Sequence, residues 1–240
     1  MRSSATFYLR SLSVVDAQFH PLPSSRSTFG KLHFDAAWLA RSSIGMALLL
    51  LITALGWLVT ATPVVDLAAA DSWVQAKLYA EWAKGNVVVM VRHAERCDRS
   101  SNACLASAAG ITVNGSLRAA DVGIGLRHLG LANARVIASP LTRTQQTAQF
   151  ISGHAVASQA WLEGCDSGFK DAVLAHKRPR ENLVLITHSG CIDHFERELG
   201  VRGGLRDSGY TQAFFAKVDG RRAPSLIGSL NASDWDKLPH

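Results

Sequence analysis

Hydrophobic and polar positions along this chain group into blocks that predict strands and helices in alternation. Three apolar runs of strand length, each followed directly by polar residues, occupy positions 86–91, 135–138 and 182–187. Helical patterns lie between them, over residues 113–130 and 140–153. Because strands that alternate with helices form parallel sheets covered on both faces, the pattern predicts an α/β fold with a mainly parallel sheet.

The pattern of residues 71–240 contains two further elements. An amphipathic helix is predicted over 71–85, and a hairpin is predicted over 211–231 with its turn near Asp219 and Gly220. In the first of the two helices named above, four side chains are predicted to face the core: Leu117, Val122, Leu126 and Leu129. We therefore expect residues 71–240 to form one domain.

The first 70 residues have a different character. Residues 1–41 form a basic, serine-rich tail, and residues 42–65 carry no charged side chain. Such an apolar stretch approaches the roughly 20 residues that cross a bilayer, and the basic residues before it place the N-terminal side in the cytoplasm. We predict that residues 42–70 are a signal peptide or a signal anchor, which adds a membrane-targeting helix to the fold and exports the domain to the periplasm.

Both forms of this export signal stay open. Small residues before Asp71 suit cleavage after Ala70, whereas an uncleaved segment would keep the protein in contact with the membrane. The alternative is a buried helix of a soluble protein.

The charge of the chain bears on its partners. The 240 residues carry a net charge of +6, and 48% of them are hydrophobic, which is typical of a globular protein. The excess of positive charge is modest and forms no long basic run. It therefore argues against nucleic acid as a partner and permits an anionic substrate. We expect a monomer.

All four cysteines lie in the part that is predicted to be exported, at Cys97, Cys104, Cys165 and Cys191. An even number of cysteines in an oxidising compartment favours disulfides. Of the three possible pairings, the short loop between the first two cysteines favours Cys97 with Cys104, which leaves Cys165 for Cys191.

The residues that follow the three predicted strands carry the candidate chemistry, because ligands of parallel sheets bind beyond the carboxyl ends of the strands. This set comprises two arginines, two histidines and several hydroxyl groups: Arg92, Arg143, His93, His188, Ser139, Thr142 and Thr187. Arginine forks match the oxygens of a phosphate monoester. A neutral His93 can attack phosphorus and form a phosphohistidine, and His188 can hold a phosphate oxygen in the transition state. Ser139 and Thr142 either line this site or cap the following helix.

Three segments in this order resemble the histidine phosphatase (phosphoglycerate mutase-like) superfamily: VVVMVRHAER at 87–96, VIASPLTRTQQTA at 136–148 and NLVLITHSG at 182–190. The resemblance implies the fold of that superfamily and hydrolysis of a phosphoric monoester through a phosphohistidine, with Arg92, His93, Arg143 and His188 as the core of the site. Superfamily members usually protonate the leaving group with a carboxylic acid between the second arginine and the second histidine. Glu163 fits that position, and Asp166 is the alternative.

A closer likeness within the superfamily concerns residues 92–115, the basic and apolar leader, and the cysteines near 165 and 191. These features resemble phosphatases of the bacterial envelope and imply heptose phosphate of the lipopolysaccharide core as the substrate. Two alternatives remain: a general periplasmic sugar-phosphate phosphatase, and a non-catalytic envelope protein that binds phosphorylated glycolipid through its arginines.

Two rival chemistries are disfavoured. Cys191 and Arg197 have the Cys-x5-Arg spacing of cysteine-dependent phosphatases, but the residues between them are bulky, whereas a phosphate-binding loop requires small residues. Two sets could offer metal ligands, namely His93 with Cys97 and Cys104, and His188 with Cys191 and His194. Neither contains a Cys-x2-Cys or His-Glu-x2-His pair. We therefore expect no metal and no cofactor, since the arginines supply the positive charge.

Overall fold

A six-stranded sheet forms the centre of the domain in the computed structural model, which describes residues 36–59 and 62–238. The strands in these residues are β1 (Val87–Arg92), β2 (Ala134–Ala138), β3 (Ala157–Ser158), β4 (Asn182–Thr187), β5 (Ala213–Lys217) and β6 (Ser225–Leu230). Their order in the sheet is β3-β2-β4-β1-β5-β6. The first four are parallel, and β5 is antiparallel to both β1 and β6. The predicted α/β class, the mainly parallel sheet and the C-terminal hairpin are confirmed.

Helices cover both faces of the sheet, as predicted. The described residues form α1 (Ala36–Val59), α2 (Ser72–Ala83), α3 (Val113–Leu129), α4 (Thr142–Ser152), α5 (Phe169–His176) and α6 (Ser189–Glu198). Helices α2, α3 and α4 pack on one face with Val87, Val89 and Val91, whereas α5 and α6 pack on the other with Val88 and Met90. Because both faces of β1 are covered, all five of these side chains are buried, which explains the continuous apolar run in the sequence.

The core-facing side of α3 differs in one residue from the prediction. Val122, Leu126 and Leu129 are buried as predicted, but Leu117 is 62% exposed, so that prediction was wrong. The buried stripe of α3 also includes Ala119, and its residues follow each other at spacings of three and four. Leu117 lies two residues before Ala119, which puts it on the opposite side of the helix.

Helix α1 covers most of the uncharged N-terminal stretch, and apolar side chains such as Ile44 and Leu51 are exposed on it. Within residues 36–59 and 62–238, the helices do not reach the combination of length and hydropathy that crossing a membrane requires. The signal peptide or anchor over 42–70 stays a prediction, and most of the predicted tail, up to residue 35, lies outside the described residues.

The segment just before α2 belongs to the core of the domain. The backbone N–H of Leu67 donates to the carbonyl of Ser229 in β6 at 2.9 Å, and the N–H of Ser229 donates to the carbonyl of Val65 at 2.8 Å. The Leu67 side chain is fully buried. The structural core therefore includes residues that precede Asp71, and cleavage after Ala70 would remove these contacts.

We expect Leu67→Ala to lower the free energy of unfolding by about 2–4 kcal/mol, because the substitution removes buried apolar volume and leaves a cavity. The matched control is Leu117→Ala, which removes the same atoms from an exposed position and should change the stability by no more than about 0.5 kcal/mol. Urea denaturation of both variants measures the difference. Equal losses would contradict the assignment of residue 67 to the core.

Candidate active site

The carboxyl ends of β1, β2 and β4 bring the predicted site residues to one edge of the sheet. The strand pairing continues for one residue beyond the strands, since the N–H of His93 donates to the carbonyl of Thr187 at 2.9 Å and the N–H of Ser139 donates to the carbonyl of Ile186 at 3.1 Å. As a result, His93 and Ser139 flank the turn that carries His188. The rings of His93 and His188 lie with their centroids 5.4 Å apart.

His93 is buried and held in one tautomer. Its Nδ1 lies 2.8 Å from the carbonyl oxygen of Ala94. Because a carbonyl only accepts, Nδ1 carries the proton and Nε2 keeps its lone pair. Burial, followed by the nearby charges of His188, Arg143 and Arg92, lowers the pKa of His93 to about 3. The imidazole is therefore neutral at physiological pH and has a free nitrogen for nucleophilic attack.

Two hydroxyl groups determine the tautomer of His188. The hydroxyl of Thr144 donates to backbone carbonyls at Leu141 and Ser139, 2.6 and 2.9 Å away. It must therefore accept the proton of Ser139 Oγ at 2.8 Å, and Ser139 Oγ in turn accepts from His188 Nε2 at 3.0 Å. His188 Nδ1 is then unprotonated, and it is buried without a hydrogen-bond partner among the described residues. Burial, with Arg143 as the next cause, lowers the pKa of His188 to about 4.

Arg92 and Arg143 bring positive charge to the same edge of the sheet. Neither forms an ion pair within residues 36–59 and 62–238, and the Nε atom of each is buried without a hydrogen-bond partner. Burial is the main cause that lowers the pKa of both guanidinium groups. Desolvated charges without a partner are costly, so these two arginines form a site that an anionic ligand would stabilise.

A loop between β5 and α6 positions Arg92. The guanidinium Nη1 donates to the carbonyl of Ser208 at 2.5 Å, and the guanidinium carbon lies 4.0 Å from the ring centroid of Tyr210. The same ring lies 5.7 Å from that of His93. Tyr210 therefore touches both Arg92 and His93, although nothing in the sequence motifs indicated it. Its position depends on the antiparallel pairing of β5 with β1, which continues through the bond from Thr211 N–H to the carbonyl of Arg92 at 3.1 Å.

The two candidate acids occupy different environments. Glu163 is exposed, and its carboxylate lies near enough to Arg143 to favour the charged form of that guanidinium. The residue before it is anchored to the site, because Thr187 Oγ1 donates to the carbonyl of Leu162 at 2.9 Å. Asp166 instead accepts from the N–H of Gly168 at 3.1 Å in the turn before α5. Of the two, Glu163 is the carboxylate whose charge acts on a site residue.

The structure contains the favoured pair of disulfides. Cys97 is bonded to Cys104 and Cys165 to Cys191, with Cα atoms 5.2 and 4.5 Å apart. The sulfur of Cys191 is therefore not a free thiolate, which removes the basis of a cysteine-dependent mechanism. The second bond also ties the loop that carries Glu163 to the start of α6. The residues of 36–59 and 62–238 show no cluster of three or more potential metal ligands.

Two hydroxyl-bearing residues have roles that the sequence left open or did not indicate. Ser139 does not cap α4, because its hydroxyl contacts Thr144 and His188 instead. Thr147 of α4 accepts from the N–H of Ala94 at 2.9 Å and so holds the residue after His93. Thr142 is exposed, at the start of α4. Of Ser139 and Thr142, Ser139 is therefore the one whose hydroxyl contacts the side chain of a predicted site residue.

We expect the ring resonances of His93 and His188 not to titrate between pH 8 and pH 5 in the phosphate-free protein, because burial holds their pKa values at about 3 and about 4. A two-dimensional proton–carbon NMR titration measures this, with resonances assigned from His93→Ala and His188→Ala. In the unfolded chain both imidazoles take up a proton near pH 6.5, so the two buried histidines make the fold less stable as the pH falls below that value. A midpoint near 6.5 for either ring in the folded protein would contradict the burial argument.

No family model matches the chain, but several proteins are similar to it. It is 33% identical over 161 residues to the lipopolysaccharide core heptose(II)-phosphate phosphatase of Salmonella typhi, a match that covers 62% of this chain and 79% of that protein. The phosphatase of the same name from Salmonella newport (strain SL254) is 35% identical over 144 residues, which are 58% of this chain and 70% of that protein.

Solved structures give weaker similarities. The protein histidine phosphatase SixA complexed with tungstate aligns with 61% of this chain and 97% of its own, at a TM-score of 0.49 and 17% identity. Phosphoglycerate mutase from Bacillus anthracis str. Sterne aligns with 65% of this chain and 98% of its own chain, at a TM-score of 0.44 and 14% sequence identity. Family membership rests on the sequence relatives: this chain belongs to the family of lipopolysaccharide core heptose(II)-phosphate phosphatases.

Proposed function

We propose that this protein hydrolyses a phosphomonoester through a phosphohistidine on Nε2 of His93, and that the phosphate is removed from heptose of the lipopolysaccharide core. One observation carries the proposal. A neutral imidazole with a free Nε2 lies beside Arg92 and Arg143, two half-buried guanidinium groups that form no ion pair in the described part of the chain. A phosphate group supplies both the electrophile for the imidazole and the negative charge for the arginines.

The first step transfers the phosphoryl group to the protein. His93 Nε2 attacks phosphorus, the bond from phosphorus to the sugar oxygen breaks, and Glu163 gives a proton to the leaving oxygen. The Nδ1–H of His93 continues to donate to the carbonyl of Ala94, which stabilises the positive charge that develops on the ring. Arg92 and Arg143 hold the oxygens of the transferring group, and His188 joins them when the negative charge of the bound phosphate draws a second proton onto its Nδ1.

The second step regenerates the protein. Glu163, now a carboxylate, removes a proton from water, and the hydroxide oxygen attacks the phosphohistidine. The bond from phosphorus to Nε2 breaks, and inorganic phosphate leaves with His93 neutral again. Neither step requires a metal or a redox partner, because the arginines neutralise the charge on phosphate.

The substrate class follows from the family. The relatives are named for the phosphate of heptose(II) in the lipopolysaccharide core. The matches to this chain cover 79% and 70% of their lengths. A substrate of that kind belongs to the cell envelope. A phosphatase acting on periplasmic sugar phosphates in general is the alternative, and the substrate comparison below separates the two.

We further propose export by residues 42–70, with the domain in the periplasm as a monomer. The two disulfides support an oxidising compartment. The burial of Leu67 in the domain core supports an uncleaved anchor over cleavage after Ala70. An uncleaved anchor would hold the domain beside the membrane, where envelope glycolipid is within reach.

We expect His93→Ala to lower kcat for p-nitrophenyl phosphate at least about a thousandfold, because the variant has no nucleophile for the first step. The assay contains EDTA, so a contaminating metal-dependent phosphatase does not contribute. The matched control is His154→Ala, an exposed histidine whose removal should leave kcat within twofold. Quenching with alkaline detergent after mixing should trap acid-labile, alkali-stable phosphate on the unsubstituted protein and none on His93→Ala. Full turnover by His93→Ala with the fold intact would exclude the mechanism.

We expect purified lipopolysaccharide core oligosaccharide that carries heptose phosphate to be a better substrate than glucose 6-phosphate, by at least about tenfold in kcat/KM. The expected cause is that contacts with the surrounding sugar add binding energy that a small phosphosugar lacks. Phosphate release is measured for both at equal phosphate concentration. Equal values would favour the general periplasmic phosphatase.

A further inference from the structure

The loop after His93 is unusually well constrained for a segment that lies in solvent. We call residues 95–112 the stapled loop, because the Cys97–Cys104 disulfide closes it. Two isolated bridges also cross it, one between Arg96 and Ile111 and one between Cys104 and Thr112. Residues 101–109 are all exposed, so burial does not explain why the loop is ordered.

A single carboxylate organises the interior of the stapled loop. Glu95 accepts from Thr112 Oγ1 at 2.7 Å, from Ser100 Oγ at 2.9 Å and from Asn102 Nδ2 at 2.9 Å. These bonds are the main cause that lowers the pKa of Glu95. Both carboxylate oxygens of Glu95 therefore accept hydrogen bonds inside the loop, and these bonds hold the neighbouring backbone in one position.

Arg96, the next residue, is oriented by a second carboxylate. Its Nε and Nη2 donate to the two oxygens of Asp98 at 2.8 and 2.5 Å, which is a bidentate pair. Nη1 takes no part in these two bonds. The side chain of Arg96 is 22% exposed, against 38% for Asp98, so the guanidinium is the more enclosed partner. A fork fixed in this way presents its remaining edge in a defined direction.

Arg96 follows His93 by three residues and so lies near the carboxyl end of β1. Between them, the N–H of Ala94 donates to Thr147 Oγ1 at 2.9 Å, one turn after Arg143 in α4. Burial is the first cause of the lowered pKa of Arg92, Arg143 and His188, and the positive charge of Arg96 contributes to the shift in all three. Arg96 is therefore a third arginine at the rim of the site, close to the two that would bind the scissile phosphate.

We propose that Arg96, held by Asp98 on the stapled loop, binds a second anionic group of the substrate, a phosphate or carboxylate carried by the same glycan near the phosphate that is removed. Arg92 and Arg143 already match the two negative charges of the scissile phosphate, and Arg96 keeps its Nη1 outside the pair with Asp98, so it has a donor for a second anionic group. The inference rests on the proposed phosphatase function and narrows its substrate to phosphosugars with at least two anionic groups.

The test compares sugars that differ only in the second phosphate. Phosphate release is measured from glucose 1,6-bisphosphate against glucose 6-phosphate and from fructose 1,6-bisphosphate against fructose 6-phosphate. For at least one pair, the unsubstituted protein should favour the bisphosphate by more than the factor of two that its second phosphate gives statistically. Arg96→Gln should lower this preference by about tenfold, the effect of losing one charge-assisted contact.

Two further variants serve as controls. Arg178→Gln removes the same charge from an exposed arginine that pairs with Glu181, just before β4 begins and therefore at the opposite edge of the sheet, and it should keep the preference. Arg96→Lys keeps the charge without the fork and should give an intermediate value. Thermal unfolding of each variant identifies any loss caused by misfolding.

The outcomes separate the inference from the function on which it rests. Equal preferences in Arg96→Gln and Arg178→Gln, or no bisphosphate preference in the unsubstituted protein, would overturn the second anion site. Failure of the unsubstituted protein to release phosphate from any of these sugars or from p-nitrophenyl phosphate would instead reject the phosphatase function itself.

Discussion

The parallel pairing of β1 with β4 is the interaction on which the rest of the site depends. Its ladder extends one residue past the strands, through the bond from His93 N–H to the carbonyl of Thr187, and so places His93 beside the turn that carries His188. The pairing of β2 with β4 does the same for Ser139. Because a strand ladder tolerates little displacement, the two histidines are held in position before any ligand arrives, which reduces the reorganisation that catalysis would require.

This preorganisation has an electrostatic cost. Arg92 and Arg143 are desolvated without an ion pair in the described part of the chain, and burial keeps His93 and His188 neutral at pH values where an exposed imidazole would be charged. Burial of apolar side chains on the two faces of the sheet offsets this cost. Every residue of β1 before Arg92 is buried. A phosphate ligand supplies the missing negative charge. The excess positive charge of the site therefore favours both phosphate binding and catalysis.

Covalent links hold two loops that border the site. The Cys97–Cys104 bond closes the loop that carries Arg96, and the Cys165–Cys191 bond joins the loop of Glu163 to α6, three residues after His188. Neither loop belongs to the sheet, so neither is positioned by the strand ladder. The disulfides restrict segments that have little buried surface of their own.

The sequence by itself determined the α/β class, the edge of the sheet where the chemistry lies and the residues at the three strand ends, because these depend on local periodicity and on the rule that parallel strands end together. It could not show that Tyr210 contacts Arg92, that Ser139 and Thr144 select the tautomer of His188, or that Leu117 faces solvent. Those features depend on the antiparallel addition of β5, on hydrogen-bond directions between distant residues and on the rotation of α3 against the sheet. Only the tertiary structure decides them, since each requires contacts between segments that the linear pattern does not relate.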